Sequence, residues 1–201
     1  MTQQKTKIYG LILAGGYSKR MGQDKALLDF HGMPQIEYVH ELLSKHCSKV
    51  YLSKRPNQKP YKRIMSIDDD EQFADSGPLG GILSAMKKYP NESWLVMACD
   101  LPFVDHKALK TIMAARDEQK LATAFISSSD ALPEPLCAIW EGRGYAAILQ
   151  LFNEGIKCPR KILIKSNAHL ITQINPRWLD NVNTLQEYNQ TKEILGSICL
   201  K

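Results

Sequence analysis

No run of apolar residues in this sequence is long enough to cross a lipid bilayer. The longest apolar runs, such as residues 94–99, fall far short of the roughly 20 residues that a membrane-spanning helix needs. Residues 1–7 are polar and lack the apolar region of a secretory signal, so we expect a flexible N-terminus there. These absences predict a cytoplasmic protein with no membrane partner.

Cysteine is sparse: the chain has five, an odd number at wide spacing, and none forms a CxxC pair. The usual zinc-binding and dithiol redox patterns are therefore excluded. The five histidines are scattered without metal-ligand spacing. No Ser-His-Asp or Cys-His arrangement indicates covalent catalysis. We expect reduced cysteines that mostly fill the core.

Acidic residues are missing from residues 45–63, a segment that carries seven Lys or Arg residues. This segment contributes to the formal net charge of +5. It is either a solvated loop face or a source of positive field that attracts an anionic substrate. Because no recognisable nucleic-acid-binding motif accompanies it, we expect no nucleic-acid partner.

The composition that remains is that of an ordinary globular domain, with 44% hydrophobic and 23% charged residues. A chain of 201 residues suits one large domain with a well-buried core. Apolar runs typical of buried strands alternate with amphipathic stretches, without repeats or long linkers. This alternation predicts a single α/β domain over residues 1–201, with a mostly parallel sheet and helices on both faces.

Hydrophobic periodicity places six strands and five helices along the chain. The expected strands cover residues 8–14, 50–53, 64–67, 94–98, 121–126 and 136–140. The first expected helix opens at Pro34, and the second covers residues 79–88. The third runs from a cap at Asp105 to about Arg116, the fourth covers residues 144–152, and the fifth follows a cap at Thr184. The carboxyl ends of such strands are where ligands bind in open α/β sheets.

The first expected strand leads into a glycine-rich loop that carries two cations. Its three glycines let the backbone approach a ligand, and consecutive N–H groups can bind phosphate oxygens. Arg20 and Lys25 add the positive charge that a triphosphate needs. The loop is neither a P-loop, since Gly22 is followed by Gln23-Asp24, nor a dinucleotide-binding G-x-G-x-x-G. The pattern therefore predicts triphosphate binding and disfavours hydride transfer.

This loop and three later segments carry a family resemblance. Residues 13–25 read Leu-Ala-Gly-Gly-x-Ser-x-Arg-Met-Gly-x-Asp-Lys, which resembles the signature of sugar-phosphate-type nucleotidyltransferases, and most of all that of molybdenum cofactor guanylyltransferases. The other matching segments are Gly77-Pro78-Leu79-Gly80-Gly81 with Asp70 before it, Cys99-Asp100-Leu101-Pro102, and Asp180-Asn181-Val182-Asn183-Thr184. The resemblance spans roughly residues 8–190 and implies a Rossmann-like three-layer domain of the nucleotide-diphospho-sugar transferase type.

The resemblance implies a transfer of GMP from GTP to the terminal phosphate of molybdopterin, with release of pyrophosphate and with Mg²⁺ as cofactor. Both reacting groups are anionic, so catalysis must consist mainly of charge neutralisation and positioning. The implied catalytic residues are Arg20, Lys25 and Asp100, and Asp100 is the implied Mg²⁺ ligand. Transient contact with cofactor-biosynthesis proteins or target molybdoenzymes is also implied.

The implied nucleotide site draws on several strand ends. Its residues are Leu13, Ala14, Gly15, Gly16, Lys25, Ser53, Asp70, Gly77, Pro78, Leu79, Gly80, Gly81 and Asp100. Ser53 stands where the family has a base-contacting asparagine, and serine lacks the paired donor and acceptor of that amide. Because Asp68, Asp69 and Asp70 are adjacent, the contact given to Asp70 could belong to either neighbour.

The acceptor side rests on three residues. Asn181 and Asn183 would point to the same side of an extended segment, and the resemblance places them beside the pterin or the metal. Asn183 or Thr184 could equally cap the last helix. Arg160, with its neighbour Lys161, either binds the acceptor phosphate or begins a surface helix.

Three other functions share part of this pattern. Cytidylyl transfer to the same cofactor uses a near-identical loop, although residues 77–81 and 181–184 favour guanylyl transfer. A sugar phosphate could be the acceptor, although this chain is short for many such enzymes. A non-catalytic module that binds or delivers the cofactor would have no need of Arg20, Lys25 and Asp100.

Overall fold

A computed structural model describes residues 8–14 and 25–199 of the chain. Within these residues, seven strands form one sheet. The strands are β1 (Ile8–Leu13), β2 (Val50–Lys54), β3 (Met65–Asp68), β4 (Ser93–Ala98), β5 (Ala122–Ile126), β6 (Pro133–Trp140) and β7 (His169–Thr172). The α-helices are α1 (Gln35–Ser44), α2 (Pro78–Lys88), α3 (His106–Ala114), α4 (Tyr145–Asn153), α5 (Pro159–Lys165) and α6 (Leu185–Cys199). Short 3₁₀ helices cover Lys25–Leu27, Glu71–Phe73 and Gly142–Gly144.

The strand order is β3-β2-β1-β4-β6-β5-β7. Every neighbouring pair is parallel except the two that involve β6, which runs antiparallel to both β4 and β5. The expected α/β domain with a mostly parallel sheet is confirmed, and the reversed β6 is an addition to it. Because β1, β2 and β4 are parallel, their carboxyl ends meet at one edge of the sheet.

Helices cover both faces of the sheet. A Cβ at Gly10 would lie 3.3 Å from Leu43 of α1, and one at Gly81 of α2 would lie 3.2 Å from Leu13. Gly10 and Leu13 are three residues apart on β1, so they face opposite sides. The central strands are buried on both sides, as the apolar runs of β1, broken by one glycine, and of β4 predict.

Several helix ends agree with the expected caps. Asp105 accepts a hydrogen bond from the backbone N–H of Ala108, which confirms it as the cap of α3. Thr184 likewise caps α6. The helix expected to open at Pro34 begins one residue later: Pro34 is extended, with ψ at 136°, and its carbonyl accepts from Tyr38.

The short strand β7 was not expected from the sequence, and α5 was expected only as one of two alternatives for Arg160. The strand β6 begins three residues before its expected start. Cys47, Cys99, Cys137 and Cys158 are free thiols, of which Cys99 and Cys137 are buried and Cys158 is exposed. No helix within the described part of the chain is both long and apolar enough to cross a membrane.

A buried ion pair lies at the edge of the sheet opposite the carboxyl ends of β1 and β4. The guanidinium of Arg116 donates to both carboxylate oxygens of Glu141 at 2.7 Å, and Ser93 donates to the same carboxylate at 2.6 Å. The side chains of Arg116 and Glu141 are 7% and 3% exposed. Such a pair is costly to break from one side, because the remaining charge stays buried.

Candidate functional site

Residues expected to bind the nucleotide and the metal lie at the carboxyl ends of β1 and β4. Leu13 is the last residue of β1 and pairs with Ala98, the last residue of β4. The backbone N–H of Cys99 donates to the carbonyl of Leu13 at 3.2 Å, so the two strands stay joined where they end. Asp100 follows two residues after β4 at this same edge.

Three side chains from distant parts of the chain converge there. The ammonium Nζ of Lys25 lies 3.7 Å from Oδ2 of Asp100 and donates to Oδ1 of Asn183 at 2.5 Å. Lys25 and Asp100 are only 18% and 26% exposed. The structure therefore brings together one residue expected to bind the triphosphate, one expected to bind the metal and one expected to bind the acceptor, although they span residues 25 to 183.

Backbone contacts hold Asn183 in this position. The N–H of Val182 donates to the carbonyl of Asp100 at 3.0 Å. The carboxylate of Glu187 accepts from the N–H groups of Asn183 and Thr184, while the hydroxyl of Thr184 accepts from the N–H of Glu187. This reciprocal arrangement is a capping box at the start of α6. The N–H of Asn183, with smaller help from Thr184, lowers the pKa of Glu187.

A small apolar cluster ties α6 to the segment that follows Lys25. Leu28, Phe30 and Val182 are buried together, and Tyr188 of α6 packs edge-on against Phe30 with ring centres 5.0 Å apart. The phenol of Tyr188 also donates to a backbone carbonyl of that segment. Lys25 is thereby fixed relative to α6, which explains how residues 158 positions apart meet.

His31 anchors the loop that follows Asp100. Its Nε2 lies 3.0 Å from the carbonyl of Pro102, and its ring stacks on Tyr38 with centres 3.6 Å apart. Tyr38 donates to the carbonyl of Val104. A carbonyl can only accept, so Nε2 carries the proton; burial lowers the pKa of His31 and favours the neutral ring. Sequence reasoning missed this role, because a lone histidine carries no signal of it.

The glycine-rich segment at residues 77–81 begins α2 and packs against the ends of β1 and β2. Gly77 has a φ of 56°, a left-handed conformation that glycine adopts without cost. A Cβ at Gly80 would lie 2.7 Å from the carbonyl of Phe73, and one at Gly81 would overlap the hydroxyl of Ser53. Gly80 and Gly81 are therefore required for close approach, and Pro78 occupies the first helical position that suits it.

The three adjacent aspartates have different partners. Asp68 pairs with Lys54, and Asp69 accepts from the hydroxyl of Ser53 at 2.7 Å. The carboxylate of Asp70 accepts from Lys87 at 2.7 Å and from the N–H of Gln72, and both interactions lower its pKa. Burial raises the pKa of Asp69, against which the Ser53 hydrogen bond acts. Asp68 and Asp69 thus both contact the end of β2, and Asp69 is the one bonded to Ser53.

A hollow of about 610 Å³ lies beside these aspartates. Its lining consists of Asp68, Asp69, Asp70, Glu71, Ser84, Lys87 and Lys88. Four carboxylates against two ammonium groups make it a poor site for a triphosphate. It includes neither Lys25 nor Asp100, so the strand ends are a better candidate for triphosphate binding than this hollow.

On the acceptor side, Asn183 lies at the centre described above, whereas Asn181 is exposed. Arg160 is the second residue of α5, which agrees with one of the two expectations for it, and it pairs with Asp130 at 2.7 Å and Glu134 at 3.1 Å. Sequence reasoning missed Glu134 and the capping role of Glu187. The Thr184-x-x-Glu187 spacing is typical of a capping box and could have indicated the role of Glu187. No comparable sequence pattern indicates the role of Glu134.

Gly15, Gly16 and Arg20 lie outside the described residues, and their assignments stay predictions. Among the described residues, no group of three or more His, Cys, Asp or Glu could hold a metal. The oxygen atoms near the strand ends that could coordinate a metal are those of the Asp100 carboxylate and the amide oxygen of Asn183. Oxygen donors of this kind fit Mg²⁺, which is commonly held by one or two carboxylates together with substrate phosphates.

Residues 10–170 match the family described as MobA-like NTP transferase domain. The chain belongs to this family. The resemblance found in the sequence is thereby confirmed, and the domain is that of a nucleotidyltransferase. A curated relative from Synechocystis sp., named molybdenum cofactor biosynthesis bifunctional protein, is 34% identical over 189 residues, which are 92% of this chain and 54% of that protein. The chain thus spans about half the length of that relative.

Another relative and two solved structures match over nearly their whole length. A Bacillus cereus protein named probable molybdenum cofactor guanylyltransferase is 28% identical over 96% of this chain and 99% of its own. Molybdopterin-guanine dinucleotide biosynthesis protein A from Archaeoglobus fulgidus has a TM-score of 0.76 and 21% identity over 94% of this chain and 99% of its own. A cytidylyltransferase from Thermus thermophilus has a TM-score of 0.69 and 14% identity over 94% of this chain and 99% of its own. These two structures bear on the fold alone.

Proposed function

We propose that this MobA-like domain transfers GMP from GTP to molybdopterin and releases pyrophosphate, with Mg²⁺ as cofactor. The observation that carries the proposal is the convergence of Lys25, Asp100 and Asn183 at the carboxyl ends of β1 and β4. The relatives named molybdenum cofactor guanylyltransferase support the choice of nucleotide and acceptor. The proposal extends to a protein of the cytoplasm that contacts other cofactor-biosynthesis proteins or target molybdoenzymes transiently.

In the proposed reaction, an oxygen of the acceptor phosphate bonds to the α-phosphorus of GTP, and the bond from that phosphorus to pyrophosphate breaks. Mg²⁺, when bound, would offset charge on the reacting phosphates. Asp100 is the residue that would hold it, with the amide oxygen of Asn183 within reach. Lys25 would place its ammonium against the triphosphate, and its contacts with Asp100 and Asn183 hold it ready for that role.

For the base we propose the surface formed by Ser53, Asp69 and the start of α2. Asp69, held by Ser53 at 2.7 Å, is better placed than Asp70, whose carboxylate already pairs with Lys87. A carboxylate accepts the paired N–H groups on the Watson–Crick edge of guanine, which cytosine lacks. The assignment of Asp70 as a nucleotide contact stays a prediction that this arrangement makes less favourable.

Pyrophosphate release tests the function. We would incubate the protein with Mg²⁺, molybdopterin and either GTP or CTP, and identify the pterin product by mass spectrometry. The proposal expects pyrophosphate and a guanylylated pterin from GTP, with little turnover of CTP. Preferential use of CTP would overturn the choice of base. No turnover of either nucleotide with molybdopterin, together with turnover when a sugar phosphate is supplied, would overturn the acceptor.

A further inference from the structure

One guanidinium is held by two carboxylates near the candidate site. Nη1 of Arg160 donates to Oδ2 of Asp130 at 2.7 Å, and Nη2 donates to Oε2 of Glu134 at 3.1 Å. Asp130 lies on the turn between β5 and β6, Glu134 lies near the start of β6, and Arg160 lies in the first turn of α5. Arginine has five N–H donors, so these two bonds leave donors for a further anion.

The two carboxylates differ in their exposure to water. Each accepts a backbone N–H two residues further along: Glu134 from Leu136 and Asp130 from Leu132. The Glu134 side chain is 14% exposed, whereas the Asp130 side chain is 39% exposed on a turn where Ala131 has a φ of 56°. Glu134 therefore belongs to the sheet, whereas Oδ2 of Asp130, the atom that contacts Arg160, lies on an exposed turn where water can replace that contact.

This ion-pair cluster borders the reacting centre. β6 runs antiparallel to β4, so its start lies beside the end of β4. Asp100 is three residues beyond Met97, and Glu134 is three residues before Cys137, the partner of Met97 in the sheet. Burial raises the pKa of Glu134, and the charge of Asp100 raises it further, against the N–H of Leu136 and the guanidinium of Arg160.

The charges in this cluster limit how it can bind an acceptor. Arg160 with Asp130 and Glu134 carries a net negative charge, so an approaching phosphate is repelled while both carboxylates remain in place. Releasing Oδ2 of Asp130 from Arg160 costs little, because exposed ion pairs contribute little and Oδ1 can keep its bond from the N–H of Leu132. Releasing Glu134 would leave a mostly buried carboxylate without its cation, which is much less favourable.

We infer that Glu134 is a positioning residue that holds Arg160 for the acceptor phosphate, and that Asp130 is the partner which this phosphate displaces. The inference rests on the proposed function. A phosphate can take the place of the Asp130 carboxylate with a bidentate geometry, which guanidinium groups favour. Glu134 keeps the guanidinium in place during this exchange and touches no reacting atom.

Opposite changes in the KM for molybdopterin test this assignment. Glu134→Gln should raise that KM by about tenfold or more, because a charge-assisted hydrogen bond to Arg160 is lost. Asp130→Asn should lower it, because the competing carboxylate is gone. Both variants should keep the KM for GTP. Glu154→Gln, on the exposed end of α4, is the matched control and should change neither constant.

The outcomes separate the inference from the proposed function. If the wild-type protein makes no guanylylated pterin, the proposed function fails before the variants are compared. If the wild-type protein does make this product, a rise in the KM for molybdopterin with Asp130→Asn overturns the proposed displacement of Asp130 by the acceptor phosphate. This result counts even if Glu134→Gln fails to fold. An unchanged KM for molybdopterin in a folded Glu134→Gln protein, or an equal rise in the KM for GTP, overturns the positioning role.

Discussion

Replacing Gly81 by alanine tests how tightly α2 must approach the strand ends. The added Cβ would overlap the hydroxyl of Ser53 and lie 3.1 Å from its Cβ and 3.2 Å from Cδ2 of Leu13. Ser53 is 7% exposed and its hydroxyl is bonded to Asp69, so it cannot turn aside without losing that bond. The substitution should therefore disturb both the fold and the proposed base contact.

The expected change in the free energy of unfolding for Gly81→Ala follows from opposing effects. Alanine is favoured over glycine inside a helix by about 1 kcal/mol. Overpacking costs about 1–3 kcal/mol, and the strained hydrogen bond to a carboxylate adds to that loss. Gly81→Ala should thus lower the free energy of unfolding by about 1–2 kcal/mol. Gly196 in α6 is the matched control: a Cβ there meets nothing within 4 Å, so Gly196→Ala should stabilise by about 0.5–1 kcal/mol.

Thermal unfolding measures the difference between the two variants. For a chain of this size, 1 kcal/mol corresponds to roughly 2–4 °C in Tm. Gly81→Ala should unfold below the wild type and Gly196→Ala above it, and only Gly81→Ala should weaken GTP binding in calorimetry. Equal Tm values for the two variants, with unchanged affinity for GTP, would refute the close approach of Gly81 to Ser53.

Two further variants probe the framework of the domain. Glu141→Gln removes the carboxylate charge that Arg116 contacts at 2.7 Å, while Glu118 lies more distant at 3.6 Å. It should lower the free energy of unfolding by about 3–5 kcal/mol in urea titrations, and a loss below about 1 kcal/mol would contradict the buried pair. Glu187→Gln should lower stability by about 1 kcal/mol at neutral pH, because the capping box loses its carboxylate. The pKa of Glu187 is lowered in the folded state. The extra stability of the wild type over Glu187→Gln is therefore fully present above the unfolded-state pKa of Glu187, and it is lost as pH falls through the folded-state pKa. Thermal unfolding of both proteins over that pH range measures this, and an advantage that persisted in acid would contradict it.

The sequence predicts the central elements well because each has a strong local signal. β1 and β4 are continuous apolar runs, and the caps at Asp105 and Thr184 are read from single residues. β7 escapes prediction, and α5 is predicted only as one of two alternatives for Arg160, because four and seven residues carry too little periodicity. The direction of β6 is likewise hidden, since a buried strand has the same apolar pattern whichever way it runs.

The site is predictable as a set of residues but not as a set of contacts. Asp100 stands out because it follows a buried strand, and Lys25 because it ends a glycine-rich loop. Their contact with Asn183 depends on the apolar cluster under α6, which no local pattern reveals. The pairing of Arg160 with Glu134 depends on how α5 packs on β6. Long-range ion pairs of this kind follow from tertiary structure alone.

The most direct test of the central claim is the single-turnover rate of GMP transfer to molybdopterin in Asp100→Asn, with GTP and Mg²⁺ saturating. Asparagine keeps the shape of the side chain, and the backbone carbonyl of residue 100 can still accept from the N–H of Val182, so the fold should persist. The exposed Glu193→Gln of α6 is the control and should transfer at the wild-type rate. We predict a loss of at least about 10²–10³-fold for a folded Asp100→Asn protein. A rate within about tenfold of the wild type would contradict the placement of the reaction at the ends of β1 and β4.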